Sequence, residues 1–200
     1  MVWQLPVHQN VADRDLAIKW ARAMVADDHA VYLDTETTGL KPGSEIVELA
    51  IIDNAGRALL DTLIRPQRPI PRDSSAIHGI FDSDVSNAPN WESVYSSVLE
   101  IVRNRRVVVY NREYDRGIID ALCRESQLDL LPGKWKCSMI AFGWLHGEWD
   151  DRFNHYRWHR LDNVTTSLGI PGGGHRARSD ADCSRQVVHH MAGYPLSTEA

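Results

Sequence analysis

The stretch Ala30-Val31-Tyr32-Leu33-Asp34-Thr35-Glu36-Thr37-Thr38-Gly39 decides the fold. An apolar run leads straight into two carboxylates and then into a turn, Thr38-Gly39-Leu40-Lys41-Pro42-Gly43. A short apolar run bounded by turn residues reads as a buried strand. Asp34 and Glu36 are two residues apart, so on a strand their side chains share a face, ~6.5 Å apart along it. At an effective dielectric of ~20 two such charges repel by roughly 2.5 kcal/mol. Without a cation between them, one tends to keep its proton. Two readings of the pair stand side by side: solvated carboxylates of the kind common at strand ends, or a pair placed to hold a metal ion.

Working outward, Ile46-Val47-Glu48-Leu49-Ala50-Ile51-Ile52 reads as a second strand, Asn54-Ala55-Gly56 as a hairpin turn and Ala58 to Arg65 as a third strand. Upstream, a helix follows Asn10, with Asp13 three residues on as a capping-box variant. Ala17, Trp20, Ala21 and Met24 give that helix its apolar face, and the first ten residues read as an irregular arm. Downstream come a short helix over Ser74 to His78 and a longer one marked by Trp91, Tyr95, Val98, Leu99 and Val102. A buried strand over Arg106 to Tyr110 and a helix over 115–126 follow. A short strand at Trp135 to Ser138 precedes helices over Met139 to Gly147, Leu161 to Leu168 and Arg178 to Met191. The order βββαβαβα implies an α/β fold, a mixed sheet with helices packed on its faces. The expected organisation is an arm and helix over 1–27, one domain over 28–195 and a short tail over 196–200.

Composition bounds the answer. At 200 residues, with 43% apolar and 24% charged residues, the chain is an ordinary globular length and composition for one domain. A chain of this length buries roughly 70% of its unfolded surface without staples. The start shows no signal-peptide pattern, and no apolar run approaches the ~20 residues that a bilayer requires. Cys123, Cys137 and Cys183 are scattered and odd in number, which points to a reducing cytoplasm. The net charge of −5 argues against nucleic-acid binding by bulk charge. It leaves room for carboxylates that carry metal ions, since those ions reverse the local sign.

Two further acidic positions join the first pair. Asp115 lies in Asn111-Arg112-Glu113-Tyr114-Asp115, just after a strand, and Asp180 in His175-Arg176-Ala177-Arg178-Ser179-Asp180-Ala181. Each alone reads equally as a first-turn helix acid favoured by the helix dipole. Together with Asp34 and Glu36, they lie at strand-to-helix and loop-to-helix junctions that can converge on one end of a sheet. His175 follows Pro171-Gly172-Gly173-Gly174, a permissive backbone, and reads either as an incidental loop histidine or as a proton acceptor on a mobile loop. His155 and His159 are four apart but lack the following Glu of an H-E-x-x-H zinc motif. With His189 and His190 they read as structural or exposed.

These motifs, in this order, resemble the DnaQ-like, DEDDh-type 3′→5′ exonucleases of the RNase H-like superfamily. The segments that carry the resemblance are Asp34-Thr35-Glu36-Thr37-Thr38-Gly39, Tyr110-Asn111 with Asp115, and His175 with Asp180 five residues on. His78-Gly79-Ile80 matches the family's auxiliary segment, and the resemblance covers roughly residues 28–193. Tyr110 departs from it mildly, standing where many members have His. The aromatic-rich stretch 142–158 has no counterpart in the motifs.

The resemblance implies a five-stranded mixed sheet, three antiparallel strands and then two parallel ones, with helices on both faces. It implies two Mg²⁺ or Mn²⁺ ions held by Asp34, Glu36, Asp115 and Asp180. Asp34 would bridge both ions, Asp115 would act partly through water, and His175 would take the proton of the attacking water. Thr38, Gly39, Leu40, His78 and Asn111 are the implied contacts to the terminal nucleotide. The implied activity is stepwise removal of nucleoside monophosphates from single-stranded or frayed 3′ ends of DNA, with RNA as the alternative. A polymerase partner is admitted by the resemblance but not indicated, and no membrane is expected. A non-catalytic nucleic-acid-binding or polymerase-docking module of the same fold is the competing reading. The full set of four carboxylates plus histidine weighs against it, because binding alone is better served by positive charge.

Overall fold

The computed structural model describes residues 10–198. Its frame is a five-stranded sheet in the order β3-β2-β1-β4-β5. The strands are β1 (Val31–Thr37), β2 (Ile46–Asp53), β3 (Ala58–Leu63), β4 (Arg106–Val109) and β5 (Lys134–Cys137). β1, β2 and β3 pair antiparallel, whereas β4 runs parallel to both β1 and β5. This is the mixed sheet that the resemblance implies. β1 sits at its centre, so its backbone bonds on both sides and its side chains are covered on both faces. That double burial is why the run before Asp34 is continuously apolar and does not alternate.

One face packs Val31, Leu33, Leu49, Ile51 and Val107 against α4 (Trp91–Val102) and α5 (Arg112–Glu125). The other packs Tyr32, Ile52 and Val108 against α1 (Val11–Val25), α6 (Ser138–His146) and α8 (Ala177–Ala192). Short helices α2 (Arg72–His78) and α3 (Asp82–Val85) cap a small third cluster around Val47, Ile70 and Ile80. α7 (Leu161–Leu168) lies beside α8. Among the described residues no helix is long and apolar enough to cross a membrane.

Several local expectations need correction. The capping box at α1 does not form: Asn10 Oδ1 accepts from Ala12 N at 3.0 Å, but the Asp13 carboxylate instead accepts from the Tyr156 hydroxyl at 2.8 Å. The fully buried face of α1 is Ala17, Ile18, Ala21 and Met24, and Trp20 stands at its margin. α3 and a two-stranded hairpin, β6 (Trp149–Asp150) with β7 (His155–Tyr156), were not expected, because each is too short to show a period in sequence. Of the expected irregular arm, residues 1–9 lie outside the described residues, as do tail residues 199 and 200. The rest of the tail is docked: Ser197 N donates to Asp15 Oδ1 at 3.0 Å, and Arg14 Nη1 donates to the Pro195 carbonyl at 2.9 Å.

Candidate active site

The parallel pairing of β1 with β4 sends both strands toward the same end of the sheet. Asp34 and Glu36 occupy that end of β1 and share the face covered by α8, which brings Asp180 from its first turn. One carboxylate oxygen from each of Asp34, Glu36 and Asp180 lies within 4.8 Å of the others. Asp115 arrives from the opposite face, in the first turn of α5, and its Oδ1 accepts from the Thr35 hydroxyl at 2.7 Å. Asp115 is therefore beside the group of three and not within it. The alternation of the strand explains both placements: even residues face α8, and Thr35 faces α5.

Among the described residues, no arginine or lysine forms an ion pair with any of the four. Burial, reinforced by the neighbouring acids, pushes the Asp34 carboxyl well above the usual carboxylate range. Glu36 is pushed up to about 8, by burial first and then by Asp180 and Glu48. Burial also raises Asp115, against the pull of the Thr35 hydroxyl. Asp180 is pushed up to about 6 by burial, although the nearby His175 pulls it down. Its Oδ1 is buried without a hydrogen-bond partner. Such an orphaned oxygen amid crowded acids fits a hard divalent cation, because a cation satisfies the lone pairs and cancels the repulsion together.

Two features hold this arrangement that the sequence reading did not single out. Glu48 stands opposite Glu36 on β2, 4% exposed, and is clamped by Arg176 Nε at 3.0 Å and by the Ala177 amide at 2.9 Å. The clamp ties the N-terminus of α8, and with it Asp180, to the sheet. It also occupies the Arg176 guanidinium. The second feature is Gly173, where an added Cβ would lie 1.5 Å from Asp180 Oδ1. The glycine-rich run thus serves close approach there, while Gly174 (φ 71) and His175 (φ 56) both take left-handed backbone. A non-glycine residue in that region is held against a steric cost.

The site opens into a cavity of about 340 Å³ whose lining includes Asn111, Trp158, Arg160, Asp162 and His175 beside the four acids. His175 Nε2 lies 3.9 Å from Asp162 Oδ2, a neighbour that sequence spacing did not suggest. The implied nucleotide contacts divide. Asn111 lines the cavity, whereas Thr38, Gly39, Leu40 and His78 lie outside its lining. Leu40 is 84% exposed at the tip of the turn after β1. Gly39 O accepts from the Tyr114 hydroxyl at 2.7 Å, and Thr38 Oγ1 accepts from Glu45 N at 2.9 Å. His78 is buried, with Nδ1 accepting from Ile80 N at 3.0 Å, and burial lowers its pKa.

A sheet of this topology with acids converging at the end of its central strand defines an RNase H-like nuclease. Residues 31–188 match the RNase T family, described as exonuclease. The exonuclease CP81 of Escherichia phage 186, itself uncharacterized, is 36% identical over 174 residues, 83% of this chain and 89% of that one. A DNA polymerase III subunit epsilon-like protein of Rhodobacter capsulatus is 34% identical over 156 residues, which span 70% of this chain and 20% of that protein. Among solved structures, exonuclease X in complex with 5′-overhanging duplex DNA matches with a TM-score of 0.57 and 26% identity, over 86% of this chain and 97% of that one. The chain belongs to this exonuclease family, among its DnaQ-like members. It is a 3′→5′ exonuclease, a hydrolase of nucleic-acid phosphodiesters, and the family depends on divalent metal ions.

Two predictions follow from the geometry. Glu36 and Asp180 hold their protons more tightly in the folded chain than in the unfolded one. The stability they contribute is therefore complete below pH ~4 and is lost as pH rises through about 6 and then about 8. In chelator, the Asp34→Asn and Asp180→Asn variants should melt higher than the parent chain at pH 8, with the gap narrowing toward pH 5; a gap that widens on acidification contradicts the assigned shifts. Gly173→Ala forces Asp180 from its place. Since misplacement by about 1 Å costs about a hundredfold in rate, turnover should fall at least that far, while circular dichroism still reports a folded chain.

Proposed function

We propose that this exonuclease removes nucleoside monophosphates one at a time from single-stranded or frayed 3′ ends of DNA, with two Mg²⁺ or Mn²⁺ ions bound. The observation that carries the reading is the meeting of Asp34, Glu36, Asp180 and Asp115 with His175 in one cavity. Asp34, Glu36 and Asp180 would hold the ions directly. Asp115, set back beside Thr35, would complete the set partly through water. Oxygen-only donors suit these hard ions. When bound, the ions supply charge stabilisation for the phosphorane-like transition state and the leaving oxygen.

His175 does the proton work. In hydrolysis a water oxygen forms a new bond to phosphorus, the bond to the 3′ oxygen of the penultimate nucleotide breaks, and that oxygen takes a proton from solvent to end as a hydroxyl. His175 accepts the proton that the water gives up. Asp162 Oδ2 stands 3.9 Å from His175 Nε2, beside the ring that takes the proton. The left-handed backbone at Gly174 and His175 aims the ring into the cavity.

An aromatic ladder supports the single-strand preference. Trp158 lines the cavity and stacks on His155, with centroids 4.6 Å apart and planes 9° apart. His155 stacks in turn on Phe153 at 5.8 Å, and Arg152 lies over Phe153 at 5.6 Å. Trp158 and Phe153 are 53% and 64% exposed, which leaves ring area for bases. Stacking on such rings contributes roughly 1–3 kcal/mol per base and needs an unpaired strand. Exposed Arg160 at the cavity wall supplies a positive charge for phosphate, and exposed Leu40 a wedge at a terminal base pair. Three buried, unpaired cysteines agree with a reducing cytoplasm.

A 5′-labelled DNA oligonucleotide should shorten in single-nucleotide steps with Mg²⁺ or Mn²⁺ and stay intact in chelator. Cutting of a closed circle, or loss beginning at the 5′ end, rejects the proposal; an RNA oligonucleotide run alongside decides between the two substrates. His175→Ala should lower kcat by about 10²–10⁴-fold with KM little changed, and added imidazole should restore part of the rate. Trp158→Ala should raise KM for single strands about tenfold while leaving kcat near the parent value.

A further inference from the structure

His146, Glu148 and His159 form a cluster that the exonuclease reaction does not use. His146 ends α6, and Gly147 turns the chain with φ 79 so that Glu148 enters the β6–β7 hairpin. His159 follows β7 and returns to the same point. Both Nε2 atoms face Glu148 Oε2, at 3.9 Å from His146 and 4.0 Å from His159. All three donor atoms lie within 4.8 Å of one another. The imidazole centroids are 4.4 Å apart with planes at 72°, so the two rings are not stacked but turned edge to face around the shared carboxylate.

We propose that His146, Glu148 and His159 bind a zinc ion, at a structural site separate from the catalytic carboxylates. Two imidazoles and one carboxylate are a donor set that zinc takes readily and that magnesium does not. Zinc bonds of 2.0–2.1 Å at tetrahedral angles separate ligand atoms by about 3.3–3.4 Å. Each imidazole nitrogen therefore needs to approach the Glu148 oxygen by about half an ångström, within the reach of side-chain torsions. Two further observations point the same way. His159 Nε2 is buried with no hydrogen-bond partner. The other Glu148 oxygen is held by Arg157 Nη1 at 2.8 Å, and the Arg157 amide donates to the Glu148 carbonyl at 2.7 Å. Such outer support orients a ligating carboxylate. A second cavity of about 270 Å³, bordered by His146, His159 and Asn163, leaves room for water as the fourth ligand.

The ion would staple the end of α6 to both feet of the hairpin. Trp158, next to the ligand His159, would then be fixed where it lines the catalytic cavity. The assignment is independent of the substrate proposed above.

The test uses the full chain carrying Asp34→Asn and Asp180→Asn, which removes the competing catalytic ligands. After exposure to Zn²⁺ and gel filtration, this chain should retain one zinc per molecule and melt higher than in chelator. Co²⁺ in place of zinc should give the visible absorption of a four-coordinate site. Adding Glu148→Gln, at a side chain exposed enough to leave packing intact, or His159→Gln should abolish retention, the melting shift and the cobalt band. Absence of retained zinc in the parent double variant overturns the proposal, as does retention that survives both added substitutions.

Discussion

Like-charge crowding governs this molecule. Four acids meet at one end of β1 without a lysine or arginine partner among the described residues, and each carboxyl is pushed up by burial. An isolated chain would relieve that strain by letting the strand end fray or by turning a side chain outward. Neither happens, because the acids are anchored by three different elements: β1 carries Asp34 and Glu36, α5 carries Asp115 and α8 carries Asp180. β1 is locked between β2 and β4, Thr35 holds Asp115, and the Glu48–Arg176 clamp pins the start of α8 that carries Asp180. The fold keeps a crowded acidic site at a cost in stability, the usual trade between stability and function.

The clamp repeats the same theme in a second charge pair. Glu36 and Glu48 face each other across the β1–β2 ladder, an arrangement that repels when both are ionised. Arg176 pairs with Glu48 and so moderates the repulsion that Glu36 feels. The register of β1 on β2 also shifts between Glu36 and Thr37. A bulge at that point re-aims the backbone as it enters the turn, a common device beside active sites.

How much of this was legible in the sequence depends on the range of the interaction. The apolar run ending in Asp34 and Glu36 announced a buried strand with acids at its tip, and local periodicity located the main helices. The joining of Asp115 to Thr35, 80 residues apart in sequence, was not readable, since no local pattern encodes it. The same holds for Glu48 with Arg176, which needs the strand register and the loop path together. Gly173 was visible as one glycine of three. Only the packed structure separates the one that meets Asp180 from those that bend the chain. His159 looked like half of an i, i+4 pair with His155. The hairpin instead turns its ring toward His146, because β6 and β7 bring residues 148 and 159 together at its base.

The docked tail has an architectural consequence. Arg14 and Arg22 on α1 bond the carbonyls of Pro195, Ala192 and Tyr194, and Ser197 bonds Asp15. The chain therefore enters and leaves the described fold side by side along α1. A unit whose two ends meet can be spliced into a loop of a larger protein without forcing the edges of that loop apart. It can equally be attached through either end and present its cavity in nearly the same pose.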